Sequence, residues 1–124
     1  MKYVVLDTNF ILSCIRKKID FFEEIKFMGF NVLIPTQVIN ELKKISESGK
    51  IKFQEEAKIA LILLKKNTFN EIDLHTKNTD NGIVKIAHEN RGYTIATLDR
   101  GIQDKLENHQ LIIRGDKKLE ITSG

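Results

Sequence analysis

Apolar residues along the chain follow two rhythms, short unbroken runs and longer stretches with helical spacing. Tyr3-Val4-Val5-Leu6 is a run without polar alternation, which reads as a strand over residues 2–6 buried on both faces. Helical spacing follows over 10–15 and 19–28, two short helices broken at Arg16-Lys17-Lys18, with Asp20 in the first turn of the second. Gly29 ends that stretch, and Val32-Leu33-Ile34 is a second strand closed by Pro35, the only proline, which disfavours helix before it. Thr36 is placed to cap a helix carrying Val38, Ile39, Leu42 and Ile45 as far as Ser48-Gly49. A longer helix comes next, with Ala57, Ile59, Ala60, Leu61, Leu63 and Leu64 expected to be largely buried, until Asn67 interrupts it. Phe69 to Leu74 is a weak third strand, Thr79 to Asn90 a helix ended by Gly92, and Tyr93 to Leu98 a strand rich in β-branched residues. Ile102 and Leu106 mark a last short helix before the strand Leu111-Ile112-Ile113. Strands alternating with helices predict a three-layer α/β/α sandwich around a mainly parallel sheet, one domain over residues 1–124 without repeats or linkers.

Composition narrows the chemistry. The 41% hydrophobic content of the 124 residues suffices for an ordinary core. Twenty Lys and Arg against 17 Asp and Glu leave a net charge of +3, which leans toward an anionic partner without naming it. The lone cysteine, Cys14, allows neither an internal disulfide nor a zinc ribbon, and among Ile11, Leu12 and Ile15 it reads as a small core residue. No apolar run approaches the roughly 20 residues of a membrane span, and no signal peptide is legible, so a cytoplasmic protein without membrane attachment is expected.

Four acids stand where acids are awkward. In open parallel sheets ligands bind outside the carboxyl ends of the strands, and two predicted strands stop on an acid there, Asp7 and Asp99. Each is also a plausible cap for the helix that follows. At about 100° per residue, Glu41 borders the apolar stripe of Val38, Leu42 and Ile45, whereas Lys43, Lys44 and Glu47 point elsewhere. Asp80 is read on the buried face of its helix, one turn before Ile83, although a first-turn acid also suits the helix dipole. Four carboxylates converging at one end of a sheet would raise one another's pKa unless a cation neutralised them. Their hard oxygens, with no cysteine or consistently placed histidine beside them, suit Mg²⁺ or Mn²⁺ better than Zn²⁺, and a hydrated cation of that kind points to phosphodiester or phosphoryl chemistry.

These segments resemble the PIN-domain nucleases over nearly the whole chain: "VVLDTNFIL" with Asp7 and Asn9, "IPTQVINELKKI" with Glu41, "TDNGIVKIA" with Asp80, and "TIATLDRGIQDKL" with Thr97 and Asp99. The resemblance implies a flavodoxin-like sandwich in which Asp7, Glu41, Asp80 and Asp99 bind divalent metal and support cleavage of single-stranded RNA, with Asn9 and Thr97 as supporting groups. Some relatives carry a further acid at the position of Gly101, and Asp104 points away from the face set by Ile102 and Leu106, which leaves the metal count open. A water made acidic by the cation would attack the phosphorus in line, leaving a 5′-phosphate and a 3′-hydroxyl. His75, His88 and His109 are isolated and read as surface or loop residues.

With four acids engaged by metal, 20 basic side chains face 13 acidic ones over the rest of the chain, a surface suited to a polyanion. Lys17, Lys43, Lys44 and Arg100 are the candidate RNA contacts. Within the family, "DTNFIL", "IPTQVINEL" and the ending "LIIRGDKKLEI" are most similar to the small archaeal relatives of the small-subunit processome endonuclease, which implies a role in ribosomal RNA processing on pre-rRNA or a pre-ribosome. The toxin branch of toxin-antitoxin pairs, with an antitoxin partner, is the alternative role, and an inactive RNA-binding scaffold is the non-enzyme alternative. A homodimer formed through the 51–66 helix or Phe21-Phe22 is a further expectation. A dehalogenase-type phosphatase needs a second Asp where Asn9 stands, and a receiver domain needs an acid where Pro35 closes the second strand, so both fall away.

Overall fold

Strand β1 (Tyr3–Leu6) lies inside the sheet because both of its faces are apolar: Val4 and Leu6 point into one core and Val5 into another. The computed structural model describes residues 2–122. After β1 come α1 (Thr8–Arg16), α2 (Phe21–Phe27), β2 (Asn31–Pro35), α3 (Thr36–Ser48), α4 (Ile51–Lys66) and β3 (Asn70–Ile72). Then follow α5 (Thr79–Glu89), β4 (Thr94–Ala96), α6 (Arg100–Gln103), β5 (Gln110–Arg114) and β6 (Lys118–Thr122). Among the described residues the strands form one sheet in the order β3-β2-β1-β4-β5-β6, parallel throughout except for the β5–β6 pair. The larger core gathers Leu6, Phe10, Phe21, Ile34 and Leu42 under helices α1 to α4; the smaller one gathers Val5, Ile83, Ile95 and Ile102 under α5 and α6. The predicted three-layer sandwich is therefore the observed fold.

The chain leaves β1 toward β2 on one side and leaves β4 toward β5 on the other, so the order of the strands reverses between the neighbours β1 and β4. That reversal opens a crevice at the carboxyl ends of the strands, where α/β sheets bind ligands. The backbone N–H of Asp7 donates to the Ala96 carbonyl at 2.9 Å and ties the two strand ends together there.

Several elements differ from their sequence reading. Thr36 does not cap α3: Pro35 holds the cap position with φ −62° and ψ 142°, and the Thr36 hydroxyl donates to Glu71 instead. In α4 only Ala57, Ala60 and Leu64 are buried, while Ile59 and Ile62 are exposed, because α1 and α3 cover one side of a helix that is apolar on more than one. The strand expected over 93–98 ends at Ala96, which leaves Leu98 out of the sheet. β6 was not expected. Its apolar residues Leu119 and Ile121 alternate with Lys118 and Glu120, and Gly115 and Asp116 both take a φ of 61°, a left-handed pair that turns β5 back on itself.

Gly82 marks a close approach. A Cβ there would lie 2.7 Å from Thr76 Cγ2 and 2.9 Å from both Leu74 Cβ and Cδ1. Alanine favours helix over glycine by about 1 kcal/mol, but overpacking costs about 1–3 kcal/mol, so Gly82→Ala is expected to destabilise the protein by about 1 kcal/mol. A thermal melt decides it, and a raised melting temperature would mean that the Leu74–Thr76 segment yields freely.

Candidate active site

Asp7 is the first residue after β1 and the N-cap of α1, so its place follows from a strand that must end where the helix begins. Its carboxylate is buried at 7% exposure and fully engaged: one oxygen accepts from the Thr8 N–H at 2.8 Å, the other from the Thr97 hydroxyl at 2.8 Å. Thr97 in turn accepts from the Asp99 N–H at 3.2 Å, so one hydroxyl bridges the acid that follows β1 and the acid three residues beyond the end of β4. Asp99 caps α6 by accepting from Ile102 N–H at 3.2 Å. Capping and site placement are thus one arrangement, since an N-cap puts its carboxylate at the positive end of the helix and at the mouth of the crevice.

Glu41 reaches the crevice from α3 and is half-buried. Its carboxylate accepts from Thr8 at 2.9 Å and, through its other oxygen, from Thr79. Thr8 opens α1 and Thr79 opens α5, so Glu41 clasps helices from opposite faces of the sheet. Sequence reasoning missed both threonines. The only trace of them is adjacency, Thr8 directly after Asp7 and Thr79 directly before Asp80.

Asp80 sits on the first turn of α5 but is exposed, at the rim and not on the buried face formed by Gly82, Ile83, Ile86 and Ala87. Burial raises the Asp7 carboxyl above its ordinary range against the Thr97 and Thr8 hydrogen bonds, and the charges of Glu41 and Asp80 raise it further. Asp80 is also raised, first by partial desolvation and then by Asp99 and Glu41, with Lys105 opposing. Hydrogen bonds place Asp7, Glu41 and Asp99 around Thr8 and Thr97, and Thr79, which opens α5 beside Asp80, donates to Glu41.

The donor set suits a hard cation in kind, being four carboxylates whose mutual repulsion a positive charge would relieve. Among the described residues no three acid, histidine or cysteine side chains stand close enough to form a finished cage. Mg²⁺ does not require one, since it is usually held by one or two carboxylates with water and substrate phosphate completing the shell.

The remaining candidates divide. Asn9 is exposed, its side chain making no hydrogen bond among the described residues, and it lines a cleft beside the acids instead of touching them. Lys17 is drawn into an ion pair with Asp116 at the hairpin tip. Lys43, Lys44 and Arg100 are exposed, Arg100 directly after Asp99. Cys14 is a buried core residue whose thiol burial pushes up to about 12. All three histidines are exposed, and Asp104 is a solvent-facing C-cap. No described helix is long and apolar enough to cross a membrane.

Comparison with known proteins agrees with this geometry. Ribonuclease VapC4 of Methanocaldococcus jannaschii is 28% identical over 127 residues, covering 98% of this chain and 97% of that protein. The rRNA-processing protein fcf1 of Schizosaccharomyces pombe is 30% identical over 109 residues, covering 84% of this chain and 53% of that protein, so the chain spans about half its length. The solved structure of the PIN domain endonuclease Utp24 superposes with a TM-score of 0.80 at 25% identity, over 98% of this chain and 91% of that one. The sequence model of the PIN like domain family matches residues 4–114, and the chain belongs to that family.

Proposed function

We propose that the protein is a divalent-metal-dependent endoribonuclease that cleaves single-stranded RNA, acting in ribosomal RNA processing. The observation that carries this reading is the convergence of Asp7, Glu41, Asp80 and Asp99 on the crevice between β1 and β4. In this reading one or two of the four carboxylates would hold Mg²⁺ or Mn²⁺ directly, with the others balancing its charge nearby, and the ion when bound would supply an acidified water and positive charge against the scissile phosphate. Thr97 fixes the Asp7 carboxylate and the backbone that carries Asp99, and Thr8 and Thr79 fix Glu41, so the acids stay oriented at the crevice. Lys43, Lys44 and Arg100 give the RNA backbone exposed cations, and binding should weaken as salt rises. The likeness to fcf1 and to Utp24 supports the rRNA-processing role. The end-to-end match to ribonuclease VapC4 favours a second role for the same chemistry, the toxin branch, in which a protein antitoxin would hold the enzyme silent.

Purified protein incubated with end-labelled single-stranded RNA in Mn²⁺ or Mg²⁺ is expected to give 5′-phosphorylated products, lost with EDTA and in Asp99→Asn. RNA bound but uncut in either metal would instead indicate an inactive scaffold.

A further inference from the structure

Leu98 is 41% exposed although it directly follows the buried Thr97, and core packing gives no reason for an apolar side chain there. It forms one wall of a cleft of about 390 Å³ that none of the four acids lines but that their neighbours in the chain do. Three of its lining residues each stand one short step from a site carboxylate: Asn9 two residues after Asp7, Ile45 one helical turn after Glu41, and Leu98 directly before Asp99. Asn9, Leu12, Ser13 and Arg16 form a single face of α1, so the cleft extends along that helix for roughly 10 Å. Its far end is cationic. Arg16 is held by a two-pronged pair with Glu56, Nε at 3.0 Å and Nη2 at 2.9 Å, and its guanidinium lies 5.4 Å from the centre of the Phe53 ring. Its Nη1 makes no hydrogen bond among the described residues, and Lys50 stands exposed beside it. An apolar wall whose neighbours in the chain are the acids on one side, with Arg16 and Lys50 on the other, suits one nucleotide of an unpaired strand: a phosphate toward the carboxylates, a base against carbon, and the next phosphate on cations.

We propose that this cleft binds the nucleobase of the nucleotide flanking the cleaved bond, with the base packed on Leu98 and Phe53 and the adjoining phosphate met by Arg16 and Lys50. Asn9 then faces the edge of the base, with both an amide donor and a carbonyl acceptor to offer. This subsite rests on the nuclease reading for the position of the cleaved bond. It also limits the substrate to unpaired RNA, because a paired base cannot leave its stack without an added cost.

Two measurements separate the subsite from that reading. In metal-free buffer, short single-stranded RNAs carrying one fluorescent adenine analogue at successive positions are titrated with protein. One position should show a saturable change in fluorescence, weakened about fivefold or more by Leu98→Ala, an exposed site whose truncation should leave the melt unchanged. In Mn²⁺, an abasic nucleotide beside the cleaved bond should slow cleavage about tenfold in the parent protein and much less in Leu98→Ala. RNA cut equally fast with every flanking base removed would overturn the subsite and leave the nuclease standing. A saturable, Leu98-dependent signal from RNA that is never cut would support the subsite and sink the nuclease. A signal that is the same at all positions, or indifferent to Leu98→Ala, would overturn the subsite whatever happens to cleavage.

Discussion

Asp7→Asn is expected to reduce cleavage of single-stranded RNA by about a hundredfold or more while raising the melting temperature of the metal-free protein. The two effects share one cause. Asparagine keeps each structural duty of Asp7: it is an equally good N-cap, its carbonyl can accept from the Thr8 N–H, and its amide can face the Thr97 hydroxyl, which rotates to accept. What asparagine removes is a charge that burial, Glu41 and Asp80 all oppose. That charge is the one a cation would need, so stability and activity pull apart at this residue. The gain should be on the order of 1 kcal/mol, a few degrees in a chain of this size. Its pH dependence gives an independent check. The folded-state pKa of Asp7 lies above its unfolded value, so the parent regains stability as pH falls through the folded pKa and its carboxyl is protonated. The advantage of Asp7→Asn should therefore be full at neutral pH and shrink on acidification. Melts in EDTA across that range would measure it, and a variant less stable than the parent at neutral pH would mean that Asp7 is tied more firmly than its burial and neighbours suggest.

The features of this site that were legible in the sequence are those that local chemistry dictates. An acid that ends a two-faced apolar strand is visible because nothing in the strand needs it, which is why Asp7 and Asp99 stand out at the ends of β1 and near the end of β4. Glu41 could be placed from the stripe of Val38 and Leu42 alone, since helical periodicity fixes which side faces the core. Asp80 obeys the same periodicity, yet burial on α5 starts only at Gly82, which packs on Leu74 and Thr76, and Asp80 ends at the rim. The grip of Thr8 and Thr79 on Glu41 was hidden because it joins residues 33 and 38 positions apart. Leu98 was read as strand because Thr94 to Leu98 continues a β-favouring run, whereas the strand ends two residues earlier and Thr97 turns its hydroxyl to Asp7. In β6, Leu119 and Ile121 are too few to make a period, and only the Gly115-Asp116 turn hinted that the chain comes back. Local pattern therefore located the acids, and tertiary packing decided what holds them.

Asn108→Asp is expected to be the most destabilising of the substitutions considered, at about 3 kcal/mol or more, although it replaces one atom of a residue that touches none of the four site acids. Asn108 is 1% exposed, and its amide nitrogen donates to three carbonyls, Ala87 at 3.1 Å, Asn90 at 3.1 Å and Tyr93 at 3.0 Å. Those carbonyls belong to the last turn of α5, its C-cap and the entry to β4, so one side chain adds to the backbone bonds that the Ala87 and Asn90 carbonyls already accept and fixes the spacing between helix and strand. A carboxylate there would direct negative charge at three carbonyl oxygens with no hydrogen to offer them. Its buried carbonyl Oδ1 already has no partner among the described residues, so no rotation of the side chain offers relief. Protonation restores one donor. The folded-state pKa of the new acid must lie above its unfolded value, so the lost stability should return in part as pH falls through the folded pKa, a recovery absent from Asn108→Ala. Asn108→Ala should cost less, about 2 kcal/mol, because it removes the amide's bonds to the three carbonyls but buries no charge. Urea unfolding of both variants at neutral and acidic pH separates the two. Equal midpoints at both pH values would show that the end of α5 is held by its backbone alone. The expected result instead ties the anchor to the chemistry, because α5 carries Asp80 on its first turn and β4 leads into Thr97 and Asp99, so loosening their shared foot should separate the acids at the crevice.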